Sequence, residues 1–539
     1  MEQRNRTTPT HSRPTQVPTK SWTASSSPSA STSSSSSSSL PTTLSSSPSV
    51  RVTTERVELK QQINLFSCVS IIMGIIIGSG IFVSPVGILS NVRSVGMSCV
   101  MWAVCGVYSL LCALCFAELG ATFPESGGEY LYIMRAFGDL PAFLCLWVNF
   151  IIINPVGQAA SSLIFAVYIL RPMFPNCDAP EEATRIIAAL IMALLTSINC
   201  LNVKWATKIQ GAITASKLIA LLIIIIIGFV WLAKGRVENL QNAFEGSDYS
   251  GGAIAVAFYS GFWAFGGWNY LNFLTAEVIN PHKNLPLAIV ISMVIITLVY
   301  LTANVAYFAV LTPADMLQSS AVAVTFAERT VMVLAYVMPV LIAVSVAGGI
   351  NGSVLSMSRL FFVGARYNHL PKCISMITVK SLTPAPSLIA VLLLTLLMQI
   401  FGDIFFLIEM MGFGFANVLT VVLAGLIKIR LQEPNLHRPI KLPLVLPIFL
   451  IIMSLAILFM TVYRKPYESG ICLALIMSGV PLYIVGIAWD KPYAIQSKIE
   501  KITTFLQKLM MIVPEETDEI LRQQRIHDDD ADADISSPD

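Results

Sequence analysis

Two short stretches of this chain could hold a small charged molecule with backbone groups alone. The first is GIIIGSGIF, Gly74 to Phe82, closed by Pro85. Three glycines within seven residues, followed by proline, make a poor continuous helix. Glycine loses the most backbone freedom on ordering, and proline lacks the donor that a helix interior needs. The second is SGFWAFGGWN, Ser260 to Asn269, with Gly261, Gly266 and Gly267 at its centre. A helix broken there leaves N–H groups free at the start of one half and C=O groups free at the end of the other. The N–H groups suit a carboxylate and the carbonyls an ammonium, so an α-amino acid satisfies both. Glycine-mediated helix packing is the alternative for either stretch alone; two at matching positions favour the ligand.

The chemistry is otherwise sparse. Five histidines are scattered through tails and loops, and Cys112 and Cys115 share one apolar helix face, so neither a metal site nor a cofactor is expected. Lys217, in ASKLIALLIIIII, lies about nine residues, or about 13 Å, into an apolar run. An ionisable group at that depth is a functional candidate by default, the alternative being a lysine that snorkels to the interface. Cys177, in RPMFPNCDAPEEA, is the one cysteine in a polar loop on the predicted outer side, with no evident mate in the chain. It points to an intermolecular disulfide.

The elements that carry these residues must be membrane spans. Hydrophobic side chains make up 55% of the chain and charged ones 12%, with a mean hydropathy of +0.71. A soluble protein carries about 25% charged residues. Of the 66 charged residues only 38 fall between Gln61 and Trp489. That distribution excludes a soluble enzyme, a nucleic-acid binder and a secreted disulfide scaffold. Twelve apolar segments follow, each about 20 residues or more: 62–87, 94–118, 139–170, 183–203, 208–233, 252–276, 286–311, 333–360, 384–402, 404–430, 442–463 and 468–489. The third and eighth are long enough to be tilted or bent.

The glycine-rich breaks fall in the first and sixth spans. That spacing predicts five helices repeated with inverted topology, with paired broken helices forming a site at the bilayer midplane. Exposed backbone is tolerated at that depth only where it lines a cavity. Lys and Arg clusters at 359–380 and 428–441 orient both termini to the cytosol. Residues 1–60, with an unbroken serine run from Ser33 to Ser39, read as a disordered cytosolic tail. The membrane body occupies 61–489, and 490–539 forms a second cytosolic tail. Within it, 497–513 places Ile499, Ile502, Phe505, Leu506 and Leu509 on one helical face. Such a helix either lies on the lipid surface or packs on the protein's own loops. Asn-x-Ser/Thr triplets occur at Asn5 and Asn351, neither in an outer loop.

Specific motifs then carry a resemblance. From about 60 to 515 the chain is similar to the light subunits of the heteromeric amino-acid transporters, in the amino acid–polyamine–organocation superfamily. The stretches are IIGSGIFVSP (76–85), CFAELGATFPESGGEY (115–130), GGWNYLNFLTAE (266–277), NPHKNLPLAI (280–289), NVAYF (304–308), AVAVTFAER (321–329), SRLFFVGARYNHLP (358–371) and HRPIKLPLVLP (437–447). The resemblance implies an all-α membrane protein of twelve transmembrane helices, with a LeuT-like 5+5 inverted repeat plus two helices. It implies that Gly78, Ser79 and Gly80 hold a substrate carboxylate, and that carbonyls of Ile76, Trp263 and Gly266 hold its amino group. Trp263 would gate the site, and Asn269 would tie the broken segment to its neighbours. Lys217 would occupy the place of a coupling ion, implying sodium-independent exchange. Cys177 would bond a single-span glycoprotein heavy subunit at the plasma membrane.

Departures from the family pattern bear on the substrate. Asn154 stands where cystine/glutamate-type members carry arginine, which argues against an anionic substrate. Gly266 replaces the acid of broad-specificity cationic members. Glu409 stands where relatives often have asparagine, and Ala416 replaces a usual tryptophan, so large neutral and some cationic amino acids are expected. Glu277 keeps one of two adjacent acids, with Ala276 in place of the other. Arg359 and Arg366 are either gate residues paired to Glu118 or Glu125, or plain cytosolic charges. No enzymatic activity is expected. Rival readings are an ion channel, which lacks a filter motif here, a non-transporting amino-acid sensor, and a proton-coupled permease working without a heavy subunit.

Overall fold

The computed structural model describes residues 63–514, apart from 124, 126, 175, 176, 178, 202, 320, 380, 382, 402, 490 and 491. All of them belong to the compact unit Leu59–Asp539. The serine-rich tail and the acidic end lie outside the described residues. The described chain is almost entirely helical. Nine helices among the described residues are long and apolar enough to cross a membrane. A tenth is the pair Leu65–Ile76 and Gly80–Val92, bent by 48° at a break of three residues. Two shorter apolar helices, Gly251–Ala264 and Ala385–Phe401, complete the series.

Helix starts follow capping rules. Asn64, Ser94, Ser250 and Asp403 each accept the backbone N–H three residues on, of Ser67, Met97, Ala253 and Phe406. Thr312 and Asp315 form a reciprocal capping box. These side chains satisfy donors that the first helical turn otherwise leaves open. Burial divides the helices by face. Along Val203–Ala233, Leu218, Leu222, Ile226 and Val230 recur every fourth position and are all exposed, whereas Lys217, Ala220, Leu221 and Ile224 are buried. Ile186, Leu190, Leu194 and Leu201 make a similar outward stripe on Glu181–Leu201. Apolar stripes of this extent mark a lipid-facing surface rather than a water-facing one.

The inner helices hold the broken segments. Gly80–Val92 packs along Gly251–Ala264, and Leu334–Arg366 packs on both Asn154–Leu170 and Val203–Ala233. The long third segment is not uniform: Asp139–Val148 passes through a π-helical turn at Asn149–Ile153 before Asn154–Leu170. Such turns insert an extra residue into a helix and often sit beside functional sites.

A buried ion pair fixes one end of the bundle. Arg430 donates from Nε to Glu118 Oε1 at 2.8 Å and from its terminal nitrogen to Glu118 Oε2, with both side chains enclosed. Leu442 joins from both sides, its N–H donating to Glu118 at 3.1 Å and its carbonyl accepting from Arg430 at 2.6 Å. The partner of Glu118 is therefore Arg430 rather than Arg359 or Arg366. Arg430, which the sequence placed among plain cytosolic charges, is committed to this pair.

Beyond the last span the helix is Tyr493–Met510, longer at its start than 497–513 and ending earlier. Ile512–Val513 then form a strand antiparallel to Ile377–Thr378. Ile499, Ile502, Phe505 and Leu509 are exposed on this helix, and Leu506 is half-buried, so among the described residues no loop covers those four.

Candidate functional site

Both glycine-rich breaks border one cavity, of about 100 Å³. In the first break the helix closes with the Ile77 N–H donating to Met73 O at 3.0 Å, and helix restarts only at Gly80. Ser79 occupies the N-cap of the new helix, but its hydroxyl does not cap; it lies 3.2 Å from Ser161 Oγ. Phe82 N–H donates to Ser79 O at 3.2 Å, while the N–H groups of Gly80 and Ile81 gain no side-chain acceptor from Ser79. They leave a helix N-terminus suited to an anion beside the cavity.

The carbonyls of the first break are partly claimed. Gly74 O would meet the N–H of residue 78 in an unbroken helix; here it accepts Lys217 Nζ at 2.6 Å. Lys217 is fully buried. Residue 348, packed against the helix of Lys217, is glycine: a Cβ there would lie 2.2 Å from Ile213 Cγ2 and 3.2 Å from Lys217 Cε. Tyr300 Oη donates to Ile76 O at 3.0 Å. A carbonyl has two acceptor sites, so Ile76 O keeps one for an ammonium.

In the second break Gly251–Ala264 ends with Gly266 N–H donating to Trp263 O at 3.0 Å. Gly267 then takes φ +116°, a backbone conformation L side chains rarely adopt, and a 3-10 segment Trp268–Glu277 follows. The two breaks touch through glycine. A Cβ on Gly80 would collide with Ala264, and one on Gly267 would stand 2.7 Å from Ile75 Cγ2. The sixth-span Asn269 borders the cavity and reaches Glu129 Oε1 at 3.5 Å.

The remaining walls are largely apolar: Ile153, Phe262, Ile350, Met357, Met411 and Phe415. None of the described lining residues carries an ionised side chain. Full charges on a ligand would thus be met by helix ends, and its side chain by apolar contacts with a few neutral polar groups.

The chain matches the amino acid permease family over residues 63–485. It is 45% identical over 467 residues to the large neutral amino acids transporter small subunit 2 of Rattus norvegicus, covering 86% of this chain and 88% of that protein. It is 44% identical over 463 residues to the human cystine/glutamate transporter, covering 86% and 92%. It is 41% identical over 461 residues to the b(0,+)-type amino acid transporter 1 of Mus musculus, covering 85% and 94%. The chain is a member of the amino acid permease family. The resemblance read from its motifs, to the light subunits of heteromeric amino-acid transporters, holds over most of its length.

In this permease the structure brings Ile76, Gly78, Ser79, Gly80, Trp263, Gly266 and Asn269 to the same cavity, with Asn154 on its wall. It does not bring Glu409 or Ala416 there. Glu409 is ion-paired with Lys465 at 2.5 Å, which compensates its charge. Ala416 is buried against Val445–Arg464, its carbonyl accepting from Thr420 at 2.7 Å and Ser454 at 3.4 Å. Neither widens the cavity or charges it, because residue 412 and Met411, not 409 or 416, occupy the helical face turned to it. The Glu277 side chain lies outside the described residues.

The sequence reasoning missed Gln158 and Ser161, which line the cavity from Asn154–Leu170, and Tyr270 and Ser353 from two other helices. Gln158 donates to Asn154 Oδ1 at 3.4 Å, while its own Oε1 is buried without a partner. A signal existed. Asn154, Gly157, Gln158 and Ser161 recur at helical spacing as the small and polar face of an apolar span.

Proposed function

We propose that this chain is a sodium-independent exchanger of large neutral amino acids, the light subunit of a disulfide-linked heterodimer in the plasma membrane. The observation that carries the proposal is the cavity shared by both breaks, with backbone groups for an α-carboxylate and an α-ammonium and no ionised wall. The bent pair, the nine long helices and the two short apolar ones support a twelve-span, LeuT-like 5+5 arrangement plus two helices, with both termini cytosolic. The three relatives are named as transporters of large neutral amino acids, of cystine and glutamate, and of the b(0,+) type. An uncharged wall favours the first class of substrate. The cationic extension expected from Glu409 is not carried forward, since that acid is paired off the cavity.

Transport of this kind needs no covalent step. Substrate charges replace the water that would otherwise solvate the helix ends, and the cavity opens alternately to either side. Lys217 takes the place of a coupling ion, so a sodium gradient is not required.

Trans-stimulated flux tests the reading. Proteoliposomes loaded with labelled leucine should release it at least 10-fold faster into sodium-free buffer containing leucine than into buffer alone. External glutamate should have no effect. Equal release in every buffer would identify a uniporter, and no release in any would leave the sensor reading in its place. Cys177 is exposed, and all ten cysteines are free thiols within the chain. Cys177→Ser should therefore abolish a higher-mass band on non-reducing gels of native membranes. A band that persists would remove Cys177 as the link to a heavy subunit.

A further inference from the structure

Among the described residues, Glu129 is an enclosed acid without an ion-pair partner that the exchange reading leaves unused. It sits in the first turn of the short helix Gly128–Phe137, fully buried. Oε1 is 3.5 Å from Asn269 Nδ2, and Oε2 is buried with no hydrogen-bond partner. Asn269 borders the cavity, and its carbonyl accepts Asn272 Nδ2 at 3.3 Å, whose Oδ1 in turn accepts Tyr132 Oη at 3.3 Å. Glu129 thus stands one side chain behind the candidate substrate site, at the start of the segment that follows the second break.

The groups facing Glu129 among the described residues are neutral. They are Tyr132 on its own helix, Cys145 on Asp139–Val148, and Asn269 and Tyr270 on Trp268–Glu277. On Ile404–Gln432, Arg430 is bound to Glu118. On Leu334–Arg366, Arg359 is half-buried and Arg366 exposed. An ionised carboxylate enclosed without a counter-charge is strongly disfavoured, and protonation relieves the penalty.

We propose that Glu129 is a proton-binding positioning residue: its neutral form tolerates enclosure behind Asn269 and keeps the 268–277 segment packed at the cavity, whereas its ionised form favours hydration and loosens that packing, the cost of burying the charge outweighing the stronger hydrogen bond it would accept from Asn269. The proposal rests on the exchanger reading for its consequence, and on the geometry for the proton site itself. Burial pushes this carboxyl up to about 7, with the hydrogen bond from Asn269 acting in the opposite direction. The sign follows from linkage. A group with a raised value in the conformation that encloses it, here called the closed one, stabilises that conformation at low pH, and the contribution is lost as pH rises through 7. Against a hydrated carboxyl near the ordinary value, the weight of the closed conformation falls about 10-fold between pH 6 and pH 8.

Two measurements on the full-length protein in proteoliposomes decide it. Labelling by dicyclohexylcarbodiimide, which reacts with protonated carboxyls in apolar surroundings, should modify Glu129 with a midpoint near pH 7 when read by peptide mass spectrometry. A midpoint below about pH 5, the range of an ordinary glutamate, would overturn the proposal. In exchange assays the leucine KM should rise up to about 10-fold from pH 6 to pH 8, and Glu129→Gln should hold the low-pH KM throughout. A variant that keeps the wild-type slope would also overturn it. Wild type without flux at any pH would reject the exchanger reading, while the labelling would still judge the proton site.

Discussion

Lys217→Met should lower leucine exchange by about 100-fold while leaving thermal stability unchanged or higher. The two halves of this expectation come from the same contact. Enclosing an ammonium costs several kcal/mol even after relaxation. Lys217 recovers part of that through a short hydrogen bond to Gly74 O, in a site where no carboxylate pairs with it among the described residues. A charge-assisted hydrogen bond contributes about 1.5–3 kcal/mol, so the lysine is not there to stabilise the fold. Methionine matches its length, removes the charge, and leaves one carbonyl short of a donor, at a cost of about 1–3 kcal/mol that the lost desolvation penalty offsets. Exchange has no such offset. The ammonium fixes the end of the first half-helix against Val203–Ala233, and a free Gly74 carbonyl lets the Gly78–Gly80 turn lose its alignment. Flux and thermal unfolding measured on the same preparation check this. Exchange within 10-fold of wild type would sink the role assigned to Lys217. Loss of both activity and stability would make it a structural residue.

The breaks were legible in the sequence because glycine acts locally, making a helix cheaper to interrupt within GIIIGSGIF and SGFWAFGGWN; the interruptions fall at 77–79 and 265–267, while Pro85 lies inside the helix Gly80–Val92 rather than closing the break. The long apolar segments were legible as helices because apolar length is itself the physical requirement of a bilayer. What could not be read was which side of a helix turns inward. Glu409 and Ala416 lie within a few residues of Met411 and Phe415, yet only the latter two border the cavity. The hydrophobic signal of a span is nearly the same on its lipid and protein faces, so periodicity gives little guidance there. Pairing across the chain was equally hidden. Lys465 for Glu409, Arg430 for Glu118 and Asn269 for Glu129 join residues 56, 312 and 140 positions apart. Only the packed bundle says which cation meets which acid.

That last point has a measurable consequence at the Glu118–Arg430 pair. Glu118→Ala should destabilise the protein by about 3–5 kcal/mol, because it leaves a guanidinium enclosed without its counter-charge. Glu118→Met combined with Arg430→Met should recover most of the loss, since neither charge then needs to be desolvated. The pair also holds Leu442 by its N–H and its carbonyl, so the single variant frees the segment around Arg438 and Lys441. Trypsin should then cut that segment faster than in wild type, and unfolding monitored in detergent should show the fall and its partial recovery. A Glu118→Ala variant within 1 kcal/mol of wild type would mean that water reaches Arg430 and that the pair is not enclosed. Equal instability in the single and double variants would mean that the helices Val95–Thr122 and Ile404–Gln432 need the charges for alignment rather than for mutual neutralisation. The expected recovery separates a pair that is indispensable to each partner from one that is indispensable to the fold.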